Sequence, residues 1–263
     1  MTTVYDISLR VAKEVMDVIE SAATGGSTTN LTDTFLANFP ADHFNNGRVW
    51  IKNNLHANKV LVVSDFAISA GSGVVTVPTL ASVITAGTRY ALARNTYPWD
   101  QIVSAIQQAL DSTWVTGIDS TLEGDGETLE FTLPTGVFDL QKIYTENTAV
   151  AHGPQYISNH WKETATGVVR FDFGYAPRDG ETIHIHYRSR HADLADYSTV
   201  ISNEINLEWL KYKAAHELLY NFGMPTYGPA PEYRIEERLN KVINAGKMLT
   251  PRMIPDIRIQ TAG

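Results

Sequence analysis

The spacing of apolar residues switches between two periods along this chain, and an architecture built on either period alone cannot hold it. Over residues 4–20, Val4, Ile7, Val11, Val15, Val18 and Ile19 recur at helical spacing, with Arg10, Lys13, Glu14, Asp17 and Glu20 on the other face. The small-residue run 21–30 reads as a linker, because the Gly25–Gly26 pair disfavours a continuing helix. Residues 31–39 read as a short second helix with Leu31, Phe35 and Phe39 on one side. From about 47 to 92 the period becomes that of short strands: GRVWIK, KVLVVSDF, GVVTVP and RYALAR, separated by turn residues such as Asn46–Gly47.

A helix is expected over 98–112, since Pro98 suits a first helical position, Asp100 suits the positive end of the helix dipole, and Trp99, Ile102, Val103, Ile106, Ala109 and Leu110 form a stripe. From 117 to about 190 the strand period returns, with clean alternation in TLEFTL and TIHIHY. Residues 201–222 read as a helix apolar around most of its girth, which predicts burial between two layers. Gly223 and Pro225 end it, a further helix is expected over 231–248, and an extended tail closes the sequence.

This order predicts an α+β fold. A helical bundle of N-terminal, middle and two C-terminal helices would carry two inserted antiparallel β segments and an extended C-terminal tail. The bundle core would be 1–39, 98–116 and 200–249, with a small β subdomain at 40–92, a β-sandwich-like subdomain at 117–192 and the tail at 250–263.

Composition removes several functional classes. The 263 residues contain no cysteine, which excludes a disulfide scaffold, a zinc ribbon, an iron–sulfur site and a thiol nucleophile. A net charge of −8 argues against a protein whose task is to grip nucleic-acid phosphates. No apolar run approaches the ~18–20 residues of a membrane-spanning helix, and the first residues lack the layout of a signal peptide, so neither membrane insertion nor export is expected. Charged residues are 19% of the chain, below the ~25% of ordinary domains. Some of its surface is therefore expected to be covered by partners, because interface cores are depleted of charge.

Two constellations could carry chemistry. His184 and His186 are two apart on an expected strand and share a face, a spacing that metal sites use. Arg188 and Arg190 follow them and disfavour a cation, so the expectation is a solvent or interface face alternating with Ile183 and Ile185, and no metal or cofactor. Residues 111–146 hold eight carboxylates against Lys142 alone. Glu123, Asp125 and Glu127 lack the spacing of a calcium loop, and Asp125–Gly126 reads as a hairpin turn on an acidic surface. There is no nucleophile elbow, phosphate loop or dinucleotide fingerprint, so no enzyme is expected. The tail Arg252–Ile259 alternates well enough to add a strand to the sheet edge of another chain, which favours assembly.

The elements in this order resemble the head-to-tail connector (adaptor or neck) proteins of tailed bacteriophages. The residues that carry the resemblance are the N-terminal helix followed by Ala23–Thr34, then Gly47–Ile51, Ala86–Tyr90, Trp99–Leu110 and Glu208–Leu219, together about half the chain. The resemblance implies a non-enzymatic virion protein forming a homo-oligomeric ring, commonly of about twelve subunits. Such a ring sits between the portal protein and a downstream neck or tail protein, and packaged DNA passes through it without sequence-specific binding. The protein would be made in the host cytoplasm and reside in the virion neck. Trp209, Tyr212, Arg252, Ile254, Ile257 and Ile259 are then the expected subunit or portal contacts, and Glu123, Asp125, Glu127 and Glu130 the candidates for an acidic lumen. The β segments are larger than in minimal adaptors, which leaves a stopper, tail-terminator or baseplate role open. A tail-fibre or baseplate carbohydrate-binding module, using Tyr156 and Trp161 as platforms, is the alternative from a different class.

Overall fold

A computed structural model describes residues 1–133, 137–147, 156–158, 160–165, 167–172, 174 and 176–223, with the helical positions 236, 237, 240, 241 and 244. The chain begins with β1 (Thr2–Thr3) and α1 (Val4–Val15), where Asp6 Oδ2 accepts from the Thr3 backbone N–H at 2.9 Å and anchors the helix start. β2 (Val18–Ala22), β3 (Gly25–Gly26) and β4 (Asn30–Asp33) follow, then a 3-10 turn at Phe35–Asn38. Next come β5 (Arg48–Ile51), β6 (Lys59–Val62), β7 (Asp65–Ser69), β8 (Ser72–Thr76), β9 (Arg89–Ala93) and α2 (Trp99–Asp111). The next strands are β10 (Val115–Glu123), β11 (Glu130–Thr132), β12 (Val137–Asn147) and β13 (Tyr156–Ser158). They are followed by β14 (Trp161–Ala165), β15 (Val168–Phe171), β16 (Glu181–Ser189), β17 (Val200–Ile201) and α3 (Leu207–Phe222).

The expected helical bundle is therefore corrected: among the described residues the chain is mostly β, with strands in five sheets against three α-helices. The physical reason lies in the segment read as linker and second helix. Val18 and Ile19 leave the helical stripe and enter β2, where Ile19 packs on an apolar core while Glu20 meets Lys52 Nζ at 2.7 Å. The Gly/Ser/Thr run is used for close backbone approach, not for slack: a Cβ on Gly26 would lie 2.4 Å from the Asn30 carbonyl oxygen. Leu31 and Asp33 are both buried two residues apart, a strand period, and Asp33 Oδ1 then accepts from the Phe35 N–H at 2.9 Å to start the 3-10 turn. Of the helix expected at 231–248, Glu236, Glu237, Asn240, Lys241 and Asn244 are described and helical; the tail 250–263 lies outside the described residues.

The chain divides into two compact units, Met1–Ala109 with the chain from Asp193 onward, and Leu110–Ala192. The first unit holds two four-stranded antiparallel sheets, β2-β9-β5-β6 and β3-β4-β8-β7. Val49, Ile51, Tyr90 and Leu92 from one sheet meet Leu31, Phe66 and Val75 from the other in a single core, with Phe44 edge-on to Phe66 at 5.0 Å. The pairing Trp50↔Ala91 turns Trp50 to the opposite face, where its Nε1 donates to Ser8 Oγ of α1 at 3.1 Å. Tyr5 of the same helix donates its hydroxyl to the Ile51 carbonyl at 2.9 Å. Here α1 covers the outer face of one sheet, and α3 lies beside α1 with Lys211 Nζ 3.2 Å from Glu14 and 2.7 Å from Glu208. Asn206 caps α3 by accepting from the Glu208 and Trp209 N–H groups, so the helix starts at Leu207 and not at 201.

The second unit contains the sheets β10-β16-β12-β13 and β11-β15-β14. Leu133, Ile143, Val169, Phe171, Ile183 and Ile185 form its core, and Phe131 meets Phe171 edge-on at 5.8 Å. Because side chains alternate along a strand, burying Ile183 and Ile185 places His184 and His186 on the outer face.

Candidate functional site

The outer face of β10-β16-β12 carries the densest polar constellation of the second unit. The pairings Tyr144↔His184 and Lys142↔His186 put those four side chains on one face, and Ile118↔His186 adds Ile118 from β10. Tyr144 stacks on His184 with ring centroids 4.6 Å apart at 18°, and Lys142 Nζ lies 4.9 Å from the centroid of the same tyrosine. Ser120 Oγ is 2.7 Å from His184 Nδ1, and His184 Nε2 is 2.9 Å from Glu146 Oε2.

That line of hydroxyl, imidazole and carboxylate is one hydrogen bond short of a nucleophile relay. The His184–Glu146 contact is an ion-pair distance without hydrogen-bond alignment, so the carboxylate does not fix the tautomer that would make Nδ1 a base toward Ser120. His186 is pushed below the usual histidine range by burial first, then by the Lys142 ammonium and by His184, and it stands uncharged at neutral pH. Among the described residues no group of three His, Asp or Glu side chains is arranged to hold a metal ion. What this face offers is a half-buried, mixed aromatic and polar surface with an exposed Ile118. Alternation within FDLQKIYTE already placed Lys142, Tyr144 and Glu146 on one face, a signal that sequence analysis had not joined to the histidines.

The acidic candidates lie elsewhere on the same unit. Glu123 ends β10, Asp125 and Glu127 sit in the following turn, and all three are exposed. The turn is held by backbone bonds from Gly124 to the Glu181 carbonyl at 2.8 Å and from Gly126 to the Pro177 carbonyl at 2.9 Å. A side chain at Gly124 would meet the Arg178 carbonyl oxygen at 2.5 Å, so only glycine allows the two loops to close. Among the described residues no cation lies in ion-pair range of Glu123, Asp125 or Glu127, whereas Glu130, on β11, lies 3.7 Å from Arg170.

Asp125 accepts from the Glu127 N–H at 2.8 Å, the Thr128 N–H at 2.6 Å and the Thr128 hydroxyl at 2.5 Å. The Thr128 hydroxyl, then the Thr128 and Glu127 amides, hold its carboxyl down at about 2. The expected result of a carbon-detected NMR titration is an Asp125 carboxyl that stays ionised to about pH 2, while unbonded surface carboxylates protonate near pH 4. Because the folded value is the depressed one, the turn is intact above the unfolded value and is lost as pH falls through about 2. Titration of Asp125 near 4 would contradict these bonds.

Trp209 and Tyr212 are half-buried on α3, with Lys211 Nζ 4.0 Å from the Tyr212 ring centroid. Further along α3, Tyr220 is 72% exposed, and Phe222 is also exposed at the helix end. Arg252, Ile254, Ile257 and Ile259 lie outside the described residues. Trp161 is half-buried and packs against the core of the second unit. The side chain of Tyr156 is outside the described residues.

No protein-family model matches this sequence, and no curated protein is significantly similar to it.

Proposed function

We propose that this chain is a non-enzymatic structural protein of a tailed-phage virion, a head-to-tail adaptor that forms a homo-oligomeric ring between the portal protein and a downstream neck or tail protein. The observation that carries the reading is the exposed carboxylate group Glu123, Asp125 and Glu127, which has no cation in ion-pair range among the described residues and one member of which is held ionised by its own turn. A channel that passes DNA without retaining it needs such a surface. Fixed negative charge repels phosphates at short range, and screening confines the effect to about 8 Å at physiological salt.

Two further features agree with the reading. The segments carrying the adaptor resemblance form structural elements of the first unit: Gly47–Ile51 ends in β5, Ala86–Tyr90 runs into β9, and Trp99–Leu110 and Glu208–Leu219 lie in α2 and α3. The surface also retains large apolar side chains at Leu55, Val83, Ile118 and Tyr220, of the type that subunit contacts cover. With the fold mostly β, ring contacts would run through sheet edges and these exposed apolar positions, not through a helical bundle. The test is to count the chain in purified particles of the virus that encodes it: about twelve copies are expected, and absence from the particle contradicts the reading.

A further inference from the structure

We propose that His186 is an acid-sensitive trigger for the second unit: protonation of its imidazole puts a cation on the outer face of β16 with no anion to meet it, and the sheet loosens. The inference does not depend on the ring reading.

His186 sits in the middle of the sheet, on the strand paired to both β10 and β12. Its direct cross-strand neighbours are Ile118 on one side and Lys142 on the other. Side chains so placed lie about 5 Å apart at Cβ, and like charges there destabilise the pair. The Tyr144 ring centroid is 5.3 Å from that of His186. Among the described residues His186 Nε2 is buried and has no hydrogen-bond partner. A neutral ring can leave that nitrogen as a bare lone pair, whereas an imidazolium makes it an N–H donor without an acceptor.

The carboxylates around this face are committed elsewhere. On β12, Asp139 accepts from Arg188 Nη1 at 2.9 Å and from Gln141 Nε2 at 2.6 Å. Glu146 lies 2.9 Å from His184 Nε2, so acid strengthens that contact and leaves His186 without a counter-charge. On β10, Asp119 pairs with Ile185 and so falls on the opposite face, where its Oδ1 accepts from the Thr121 N–H at 2.9 Å as the strand bulges. Ser120, also from β10, has its Oγ 2.7 Å from His184 Nδ1. Along β16 the same-face neighbours are His184 and Arg188, both basic. None of the undescribed residues between 110 and 192 is Asp or Glu. Burial first, then the Lys142 ammonium and His184, holds His186 below the usual histidine range, as this setting requires. A histidine whose folded value is lowered gives its full stability above the unfolded value, near 6.5, and loses it as pH falls through that value toward the folded one.

The test is amide hydrogen exchange of the full-length chain at about pH 7.5 and about pH 5.5, on either side of the ordinary histidine value, corrected for intrinsic exchange rates. The expected result is a several-fold loss of protection in β12 and β16 at the lower pH. His186→Gln, uncharged at both, should abolish that loss. Lys142→Met should reduce it and raise the pH at which the His186 ring titrates by NMR. Unchanged protection in the parent chain overturns the proposal. So does a loss that survives His186→Gln in full, which would place the acid-sensitive group elsewhere. Should His186→Gln fail to fold at the higher pH, Lys142→Met decides alone, and a His186 titration that it leaves unmoved overturns the proposal.

Discussion

Trp50→Ala is expected to destabilise the first unit by about 3–5 kcal/mol, the range for deleting a buried aromatic side chain. Trp50 is fully buried on the middle strand pair β5 and β9, on the face turned toward α1. Its removal opens a cavity beneath the helix and strips Ser8, itself fully buried, of the indole donor at 3.1 Å. For a unit of this size the thermal midpoint should fall on the order of 10 °C. Ser8→Ala separates the two contributions: it keeps the packing, leaves the indole N–H unpaired, and should cost about 1–3 kcal/mol. Chemical denaturation followed by tryptophan-independent circular dichroism reads both. A loss under 1 kcal/mol for Trp50→Ala would mean that α1 is not seated on this sheet as described.

The second large effect is expected at Asp33. This buried carboxylate accepts from the Tyr90 hydroxyl at 2.6 Å and from the Phe35 N–H at 2.9 Å, tying β4 of one sheet to β9 of the other. Asp33→Ala strands the buried Tyr90 hydroxyl without an acceptor and removes the acceptor that starts the 3-10 turn, and should cost on the order of 3 kcal/mol, since an unsatisfied buried group alone costs about 1–3 kcal/mol. The same contact sets an alkaline limit. Burial first, and then the hydrogen bond to Asp33, push the Tyr90 phenol far above its ordinary range, while burial raises Tyr97, and burial with the charges of Asp6 and Glu20 raises Tyr5, each to about 12. A group whose folded value is raised contributes stability in full below the unfolded value, near 10 for tyrosine, and loses it as pH rises. The unfolding free energy of the first unit should hold level to about pH 10 and then decline, with the decline weakened in Tyr90→Phe. A flat profile through pH 12 would contradict the burial of these three phenols.

Much of the secondary structure was legible where one face is apolar and the other polar. The α1 stripe of Ile7, Val11 and Val15, the α2 stripe of Ile102, Ile106 and Ala109, and the alternation of Ile183 and Ile185 with His184 and His186 all follow the burial found. What misled was composition standing in for geometry. Ala23–Asn30 looks like slack chain, yet its small side chains let β3 and β4 approach each other closely, a contact no periodicity records. β10 falls at the start of the β segment expected from 117, yet its apolar residues Val115, Ile118 and Leu122 do not keep a two-residue period, because Ile118 faces outward. The N-cap of α3 at Asn206 was hidden by the apolar residues before it, Ile201 and Ile205, which are buried outside the helix.

The candidate site was legible only in pieces. His184 and His186 share a face, as their spacing requires, but their companions Tyr144, Lys142 and Glu146 arrive from β12, and pairing between strands distant in sequence is not written in either segment. The acidic turn was more local, because Asp125–Gly126 and Thr128 sit within reach of one another along the chain.

The most direct test of the proposed adaptor function is electron microscopy of purified particles of the proposed phage with this chain labelled at a single introduced cysteine. The adaptor reading predicts label in one closed ring of about twelve copies at the portal vertex, with the end of the second unit that bears Glu123, Asp125 and Glu127 turned to the DNA channel. Label in sets of three at the tail tip, or no label in the particle, would contradict it.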